Sequence, residues 1–296
     1  MSYRSIFHPQ LFKNQVIIVT GGGSGLGRCT AHELSALGAQ VVIVGRTDDK
    51  LQKVRAEILE DGGLIDTMVC DIREESQVVA VIETVLSKHG RIDGLVNNAG
   101  GQYRTAANTI STKGFEAVVR NNLTGGFIFM REAYNRWMRD NGGVVVNIIA
   151  DIWNGWPDFA HSAASRGGML TLSETLACEW AADGVRVNCV APGGIASSGF
   201  DTYAPEAQSK ILEFPQTVPL QRYGTESEIS AAIVYLLSPA AGYITGSCLR
   251  VDGGAPNARS TWKLQPTKRS TEFNGFHRSV LPTLLKKNAL SQGTAP

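Results

Sequence analysis

Two short stretches of this 296-residue chain carry side chains able to move protons or steady charge: "IIADIW" at 148–153 and "HSAASRGG" at 161–168. Asp151 is surrounded in sequence by Ile149, Ile152, Trp153 and Trp156. Packing of those groups around it would raise its pKa above about 3.9 and keep it protonated as a general acid. It reads alternatively as a solvated loop aspartate or as the partner of Arg166. Ser162 offers a hydroxyl, a weak acid that needs a separate base for activation but can still donate a hydrogen bond to developing negative charge. Arg166 is a permanent cation that passes no proton. Tyr103 is a second candidate acid, or a loop aromatic. His161 is of a residue type used as a proton shuttle, but at the start of a helix it reads as structural. Trp153 and Trp156 suit either a substrate wall or the core.

A second constellation binds rather than reacts. "VIIVTGGGSGLGR" sets Gly21, Gly25 and Gly27 between a strand and a helix start. Glycine allows the tight turn and the close approach of backbone to a pyrophosphate, and the helix N-terminus supplies free N–H groups. The second strand ends "VVIVGRT", with Arg46 where an acidic residue would hold a free ribose 2′-hydroxyl. A guanidinium suits a 2′-phosphate, so NADP(H) is expected over NAD(H), with NAD(H) still possible. Against this stand Asp48 and Asp49 just beyond, and a reading of Arg46 as solvated and stacked on adenine. Asp71 ends the third strand, as an acceptor for the adenine amino group or as the N-cap of the next helix.

These residues need a scaffold, and the chain reads as one. Apolar strand candidates at 16–20, 40–45, 65–71, 93–99, 143–149, 185–191 and 247–253 are rich in Val and Ile, as strands buried on both faces of a parallel sheet are. Helical stretches lie between them. Ile229, Ile233, Leu236 and Leu237 form one apolar stripe, and Met169, Leu172, Leu176 and Trp180 another. The alternation predicts an α/β fold: one Rossmann-type, doubly wound parallel sheet of seven strands with helices on both faces, over residues 1–254. Residues 194–224 read as a substrate lid. Residues 255–296 read as an extension packing on the domain or on a neighbouring subunit.

Bulk composition narrows the partners. The net charge of +1 gives no pull toward nucleic acid, and no apolar run is long enough to span a bilayer. Five scattered cysteines without a CxxC pair suit reduced thiols in the cytoplasm. The histidines lack metal-ligand spacing, so no metal is expected.

TGGGSGLG at 20–27, NNAG at 97–100, NNLTG at 121–125 and APGGI at 191–195 together resemble the short-chain dehydrogenase/reductase family over roughly residues 10–254. "NNAGGQY", "VVVNII", "HSAASRGG", "EWAADGVRVNCVAPG" and "LLSPAAGYITGSCLRVDGG" are similar to its trans-2-enoyl-CoA reductase branch. Members of that branch are often peroxisomal. The chain lacks their C-terminal import tripeptide, so a bacterial cytosolic relative is expected. More loosely, the chain resembles bacterial short-chain dehydrogenases of citronellol catabolism. The resemblance implies cofactor contacts at Gly21, Gly23, Ser24, Gly25, Leu26, Gly27, Arg46, Asp71, Ile72, Asn98, Ala99, Gly100, Arg166, Pro192, Gly193 and Ile195. It also implies a homodimer or homotetramer packed through helices near 114–140 and 162–183.

The family's proton relay is Asn, Ser, Tyr and Lys. Asn122 matches, whereas Ala150, Ser162 and Arg166 stand at the other three places. Asp151, fifteen residues before Arg166, resembles in position the catalytic tyrosine of dienoyl-CoA reductases. Carbonyl–alcohol interconversion needs an acid for an alkoxide, which neither Ser162 nor Arg166 supplies well. Reduction of a double bond conjugated to a thioester asks less: a donor for the enolate and a proton for the α-carbon. The expectation is therefore an NADP(H)-dependent enoyl-thioester reductase, with Asn122, Asp151, Ser162 and Arg166 catalytic and an acyl-CoA thioester as substrate. The alternatives are a dehydrogenase of an alcohol, a 3-hydroxyacyl thioester or a terpenoid, and a dinucleotide-binding protein without turnover.

Overall fold

The computed structural model describes residues 2–202, 208–265, 267 and 269–286. Residues 203–207 of the expected lid, and 266, 268 and 287–296 of the expected extension, lie outside the described residues.

Seven strands form one parallel sheet in the order β3-β2-β1-β4-β5-β6-β7. They are β1 (Val16–Thr20), β2 (Gln40–Gly45), β3 (Leu64–Val69), β4 (Gly94–Asn97), β5 (Gly143–Ile148), β6 (Val185–Pro192) and β7 (Cys248–Val251). All seven fall where the apolar runs predict, β1 and β2 with the expected bounds and the others with ends shifted by at most two residues. The strands pair through rows of apolar side chains: Ile18 faces Val42 on one side and Leu95 on the other. The chain leaves β1 in one direction to β2 and β3, and returns beside β1 as β4. The crevice at that reversal, outside the carboxyl ends of the strands, is where such sheets bind ligands.

The helices are α1 (Gly25–Ala36), α2 (Asp48–Glu60), α3 (Glu75–His89), α4 (Thr112–Val119), α5 (Gly125–Ala133), α6 (Arg139–Asn141), α7 (Ala160–Glu179), α8 (Gln208–Glu213) and α9 (Glu226–Leu237). One core joins the sheet to α1, α2 and α9 through residues such as Leu34, Ile58 and Ile233. The other joins it to α3, α5 and α7 through Ile82, Phe129 and Leu176. Helices thus cover both faces, as strands buried on both sides demand. Two helix starts matter for the site. Thr225 and Glu228 form a reciprocal capping box that fixes the first turn of α9. Between α4 and α5 the chain widens into a π-turn, Arg120–Thr124. Such a turn changes the direction of the side chains it carries, and here it carries Asn122.

Beyond β7, residues 270–283 run back over the domain. Arg222 reaches Ser270 Oγ at 3.1 Å, and Thr225 Oγ1 donates to Phe273 O at 2.5 Å. Phe276 is buried against Tyr3 and Cys29, with Arg28 over its ring at 4.8 Å. Arg4 N–H meets Gly275 O at 2.9 Å, so the N-terminal segment touches the segment that follows β7. Arg278 binds Asp61 and Glu60 at the end of α2, and Thr283 N–H donates to Asp201 Oδ1 at 2.9 Å.

Candidate active site

At the cofactor end, the carboxyl ends of β1 and β4 are tied together. Asn98 and Ala99 N–H groups both donate to Thr20 Oγ1 at 3.0 Å, and Asn98 Nδ2 donates to Thr20 O at 3.0 Å. The glycine turn sits on this knot. Gly21 has φ +68°, and a Cβ on Gly27 would lie 2.4 Å from Gly21 O, so only glycine closes the turn this tightly. Ser24 stands extended at the N-cap of α1, and its side chain makes no capping bond. The first-turn amides of α1 are left without a side-chain cap, as an anion site requires. Gly23 and Leu26 complete the turn, Leu26 packing on the core. These residues fit a dinucleotide pyrophosphate.

Arg46 is exposed beyond β2, near enough to bias Asp71. Both oxygens of Asp71 are held by Arg73, at 2.8 and 2.5 Å, and these bonds hold its carboxyl down at about 2. Asp71 does not cap α3; Glu74 occupies that place. Ile72 is buried behind the crevice. On the far side, Pro192 ends β6, Gly193 N–H donates to Val251 O at 3.0 Å, and Ile195 pairs with Gly224.

The middle of the crevice gathers Gly100, Asn122 and Arg166. A Cβ on Gly100 would lie 2.4 Å from Arg166 Nη2 and 3.0 Å from Asn122 Oδ1, so glycine is what lets both side chains close in. Asn122 Oδ1 accepts from Gly101 N–H at 2.9 Å, while its Nδ2 is buried without a partner. Arg166 Nη1 donates to Ile148 O at 2.7 Å, and its Nε is buried without a partner. Burial pulls this guanidinium down from its ordinary 12.5 to about 10, so it stays charged at neutral pH.

Ser162, one helical turn before Arg166, is buried and donates from Oγ to Gln102 Oε1 at 2.8 Å. Its hydrogen is thus committed to Gln102, and donation to a substrate would require exchanging that bond. Ser162 N–H donates to His161 Nδ1 at 2.8 Å, which leaves the hydrogen of the neutral ring on Nε2, itself buried and unpartnered. Tyr103 meets the His161 ring edge-on at 4.5 Å, while its hydroxyl lies against Gly114 in α4.

Asp151 sits apart from Arg166, toward β6 and β7. Its N–H donates to Pro192 O at 3.0 Å, and its Oδ1 is buried without a partner. Burial raises its pKa, with Asp252 adding to the rise and Arg250 opposing it. The pairing with Arg166 that the sequence allows does not form: among the described residues Asp151 has no ion pair, and Arg166 spends its reach on Ile148 O. Trp153 lies under the Arg250 guanidinium at 5.2 Å, and Trp156 packs on Phe159. A cavity of about 610 Å³, lined by Arg250 and Asp252, extends to Phe214, Leu220 and Arg222.

Three of these residues escape a sequence reading. Gln102 is signalled only by following NNAGG directly. Arg250 and Asp252 belong to the last strand and the turn after it, and nothing in "LRVDGG" announces a role at the end of β5.

Comparison with known proteins agrees with this geometry. A family model described as enoyl-(acyl carrier protein) reductase matches residues 21–256. A probable 2,4-dienoyl-CoA reductase of Bacillus subtilis (strain 168) is 34% identical over 245 residues, covering 82% of this chain and 96% of the relative. The solved citronellol catabolism dehydrogenase of Pseudomonas aeruginosa PAO1 is 51% identical with a TM-score of 0.78, covering 86% of this chain and all of that one (100%). A solved protein from Beutenbergia cavernae, described as a candidate NAD(P)-dependent gluconate 5-dehydrogenase with NADP bound at low occupancy, is 33% identical with a TM-score of 0.78 over 84% of this chain and 99% of that one. The chain is therefore a short-chain dehydrogenase/reductase, an oxidoreductase family member on the enoyl-CoA reductase branch.

Proposed function

We propose that the protein reduces the carbon–carbon double bond of an enoyl thioester, an acyl-CoA being the expected carrier, with NADPH as preferred reductant. The carrying observation is the character of the polar set. The crevice holds buried, unclaimed donors (Asn122 Nδ2, Arg166 Nε) and a half-buried carboxyl of raised pKa (Asp151), while Ser162 and Arg166 stand where a phenol and a lysine would serve an alkoxide. The bound nicotinamide would supply a hydride to the β-carbon. Electron pairs then shift to the thioester oxygen, and the donors around Arg166 steady the enolate. Asp151 returns a proton to the α-carbon as the carbonyl re-forms. The 610 Å³ cavity beside Asp252 is large enough for part of an acyl chain. Arg46 follows Gly45, the last residue of β2, at the place where an acidic residue would hold a free ribose 2′-hydroxyl; it supports the 2′-phosphate of NADP(H), with Asp48, Asp49 and Asp71 nearby on the other side of the balance.

A second reading, reduction or oxidation of a terpenoid alcohol or aldehyde, is favoured by the likeness to the citronellol catabolism dehydrogenase. One assay separates them. Purified protein is given NADPH or NADH with enoyl-CoA, 2,4-dienoyl-CoA, 3-oxoacyl-CoA and a terpenoid aldehyde, and oxidation of the nicotinamide is followed by absorbance. Turnover with the unsaturated thioesters supports the proposal. Turnover confined to carbonyl substrates overturns it, and tight cofactor binding with no turnover leaves a binding protein. All five cysteines are free, which suits a reducing compartment, and the cytoplasm is the compartment we propose. Among the described residues no helix is long and apolar enough to cross a membrane.

A further inference from the structure

Two carboxyl groups lie behind the helix that carries the glycine turn. Glu33 on α1 is fully buried but well served: hydroxyls of Tyr3, Ser5 and Ser230 donate to it at 3.1, 2.7 and 2.5 Å. Glu226 is 8% exposed, and among the described residues no hydrogen bond reaches its carboxyl. Its Oε1 lies 3.9 Å from the point a Cβ of Gly25 would occupy. Gly25 is the first residue of α1 and Glu226 the first of α9, so this carboxyl sits where two helix N-termini converge. It therefore backs directly onto the turn that fits a pyrophosphate.

The side chains around Glu226 offer little to hold a charge there; the two helix N-termini, which favour an anion, are what let it ionise in the free protein. From α1 come Arg28, Cys29 and Glu33; the Arg28 guanidinium is already bonded to Glu57 at 2.7 Å, and the buried Cys29 thiol is pushed up further by Glu226 itself. From the N-terminal segment comes Tyr3, which gives its hydroxyl to Glu33. On α9, Glu228 is occupied by Arg222 and Thr225. From the C-terminal segment come Phe276, whose N–H goes to Ser227 Oγ, and His277, which binds Asp61. Burial pushes the Glu226 carboxyl up to about 7, with Arg28 pulling the other way. A dianionic pyrophosphate arriving at the turn adds like charge, which favours the neutral acid further.

We propose that Glu226 couples dinucleotide binding to uptake of one proton: its carboxyl ionises in the free protein and becomes neutral when the pyrophosphate settles on the Gly21–Gly27 turn. The inference rests on the dinucleotide reading of that turn. Its consequence is an affinity that falls as pH rises, by up to about tenfold per pH unit between the free and bound pKa values.

The test is a titration of native protein, Glu226→Gln and Glu226→Asp with NADPH and NADH, by nicotinamide fluorescence from pH 6 to 9. Calorimetry in two buffers of different ionisation enthalpy counts the protons taken up. The 2′-phosphate itself titrates near pH 6, so the difference between native and variant is the readout, and NADH, lacking that phosphate, should repeat it. Native affinity should fall above pH 7 with proton uptake. Glu226→Gln should lose both effects and bind more tightly than native at pH 9. Glu226→Asp, with its carboxyl withdrawn from Gly25, should show a smaller fall, and it stands as the test should the Gln variant not fold. A flat native profile, or an undiminished fall in the variants, overturns the proposal. Failure of native protein to bind either dinucleotide at any pH overturns the cofactor reading instead, and this inference with it.

Discussion

Arg166→Met separates what the fold needs from what the chemistry needs. Arg166 is 8% exposed, and burial draws its pKa from 12.5 to about 10, a desolvation cost of about 3 kcal/mol. The sign is unambiguous: a cation with a depressed folded pKa weakens the fold at every pH below about 10, where it is charged. Against that stands its bond to Ile148 O at 2.7 Å, and a hydrogen bond from a charged donor contributes about 1.5–3 kcal/mol. The two nearly cancel. Arg166→Met, similar in length and uncharged, should therefore leave stability within about 1.5 kcal/mol of native. Its melting temperature should stay within about 5 °C, since about 2–4 °C accompanies each kcal/mol in chains of this order of size. Activity should not survive so well: loss of a donor aimed at an oxyanion costs about a hundredfold to a thousandfold. Thermal melts with urea unfolding give the first number, and kcat/KM on the best thioester gives the second. A loss of stability above about 3 kcal/mol would make Arg166 a structural keystone and refute the cancellation. Native kcat/KM in the variant would remove it from the mechanism.

The remaining predictions touch the same crevice. Gly27→Ala would place a Cβ 2.4 Å from Gly21 O and 2.5 Å from Asn98 Nδ2, so dinucleotide affinity should fall at least tenfold alongside an overpacking cost of about 1–3 kcal/mol; unchanged fluorescence titration would mean the turn is no cradle. Arg46→Ala should weaken NADPH about tenfold, or about 1.4 kcal/mol, and leave NADH alone; equal effects on both would refute the 2′-phosphate reading. Asp151→Asn should cut kcat by about a hundredfold or more. Because the Asp151 carboxyl works protonated and its pKa is raised, native turnover should fall as pH rises through that pKa, and this limb should vanish in the variant.

How far the sequence reaches depends on the range of the physics involved. The central strands β1, β2, β5 and β6 are legible because burial on both faces favours runs of Val and Ile, a local signal; the edge strands β3 and β7 are half-buried and are marked by the strand–helix rhythm instead. The glycine turn is legible because φ at Gly21 and the approach of Gly27 leave no other residue. Asn122 can be named in advance, but not the π-turn that aims it, since hydrophobic periodicity does not register one extra residue in a turn. The neighbours of Asp151 are illegible for a different reason. Arg250 and Asp252 are about a hundred residues away, and only the pairing of β5 with β6 and of β6 with β7 brings them close. The same holds for Gln102, whose partner Ser162 lies on another element. Local pattern names the actors, and tertiary contact decides which of them meet.

The meeting of Arg4 with Gly275 has a kinetic consequence. These residues are about 270 positions apart, so the seam cannot close until the sheet between them has been laid down. It should close late in folding and be the first to loosen on the way out. Cys29 lies directly beneath it, fully buried against Tyr3 and Phe276. A thiol reagent applied under native conditions would therefore read the seam as a clock: Cys29 should be labelled at the rate the Arg4 and Gly275 segments part, ahead of Cys189 in the sheet, which waits for the whole fold to open.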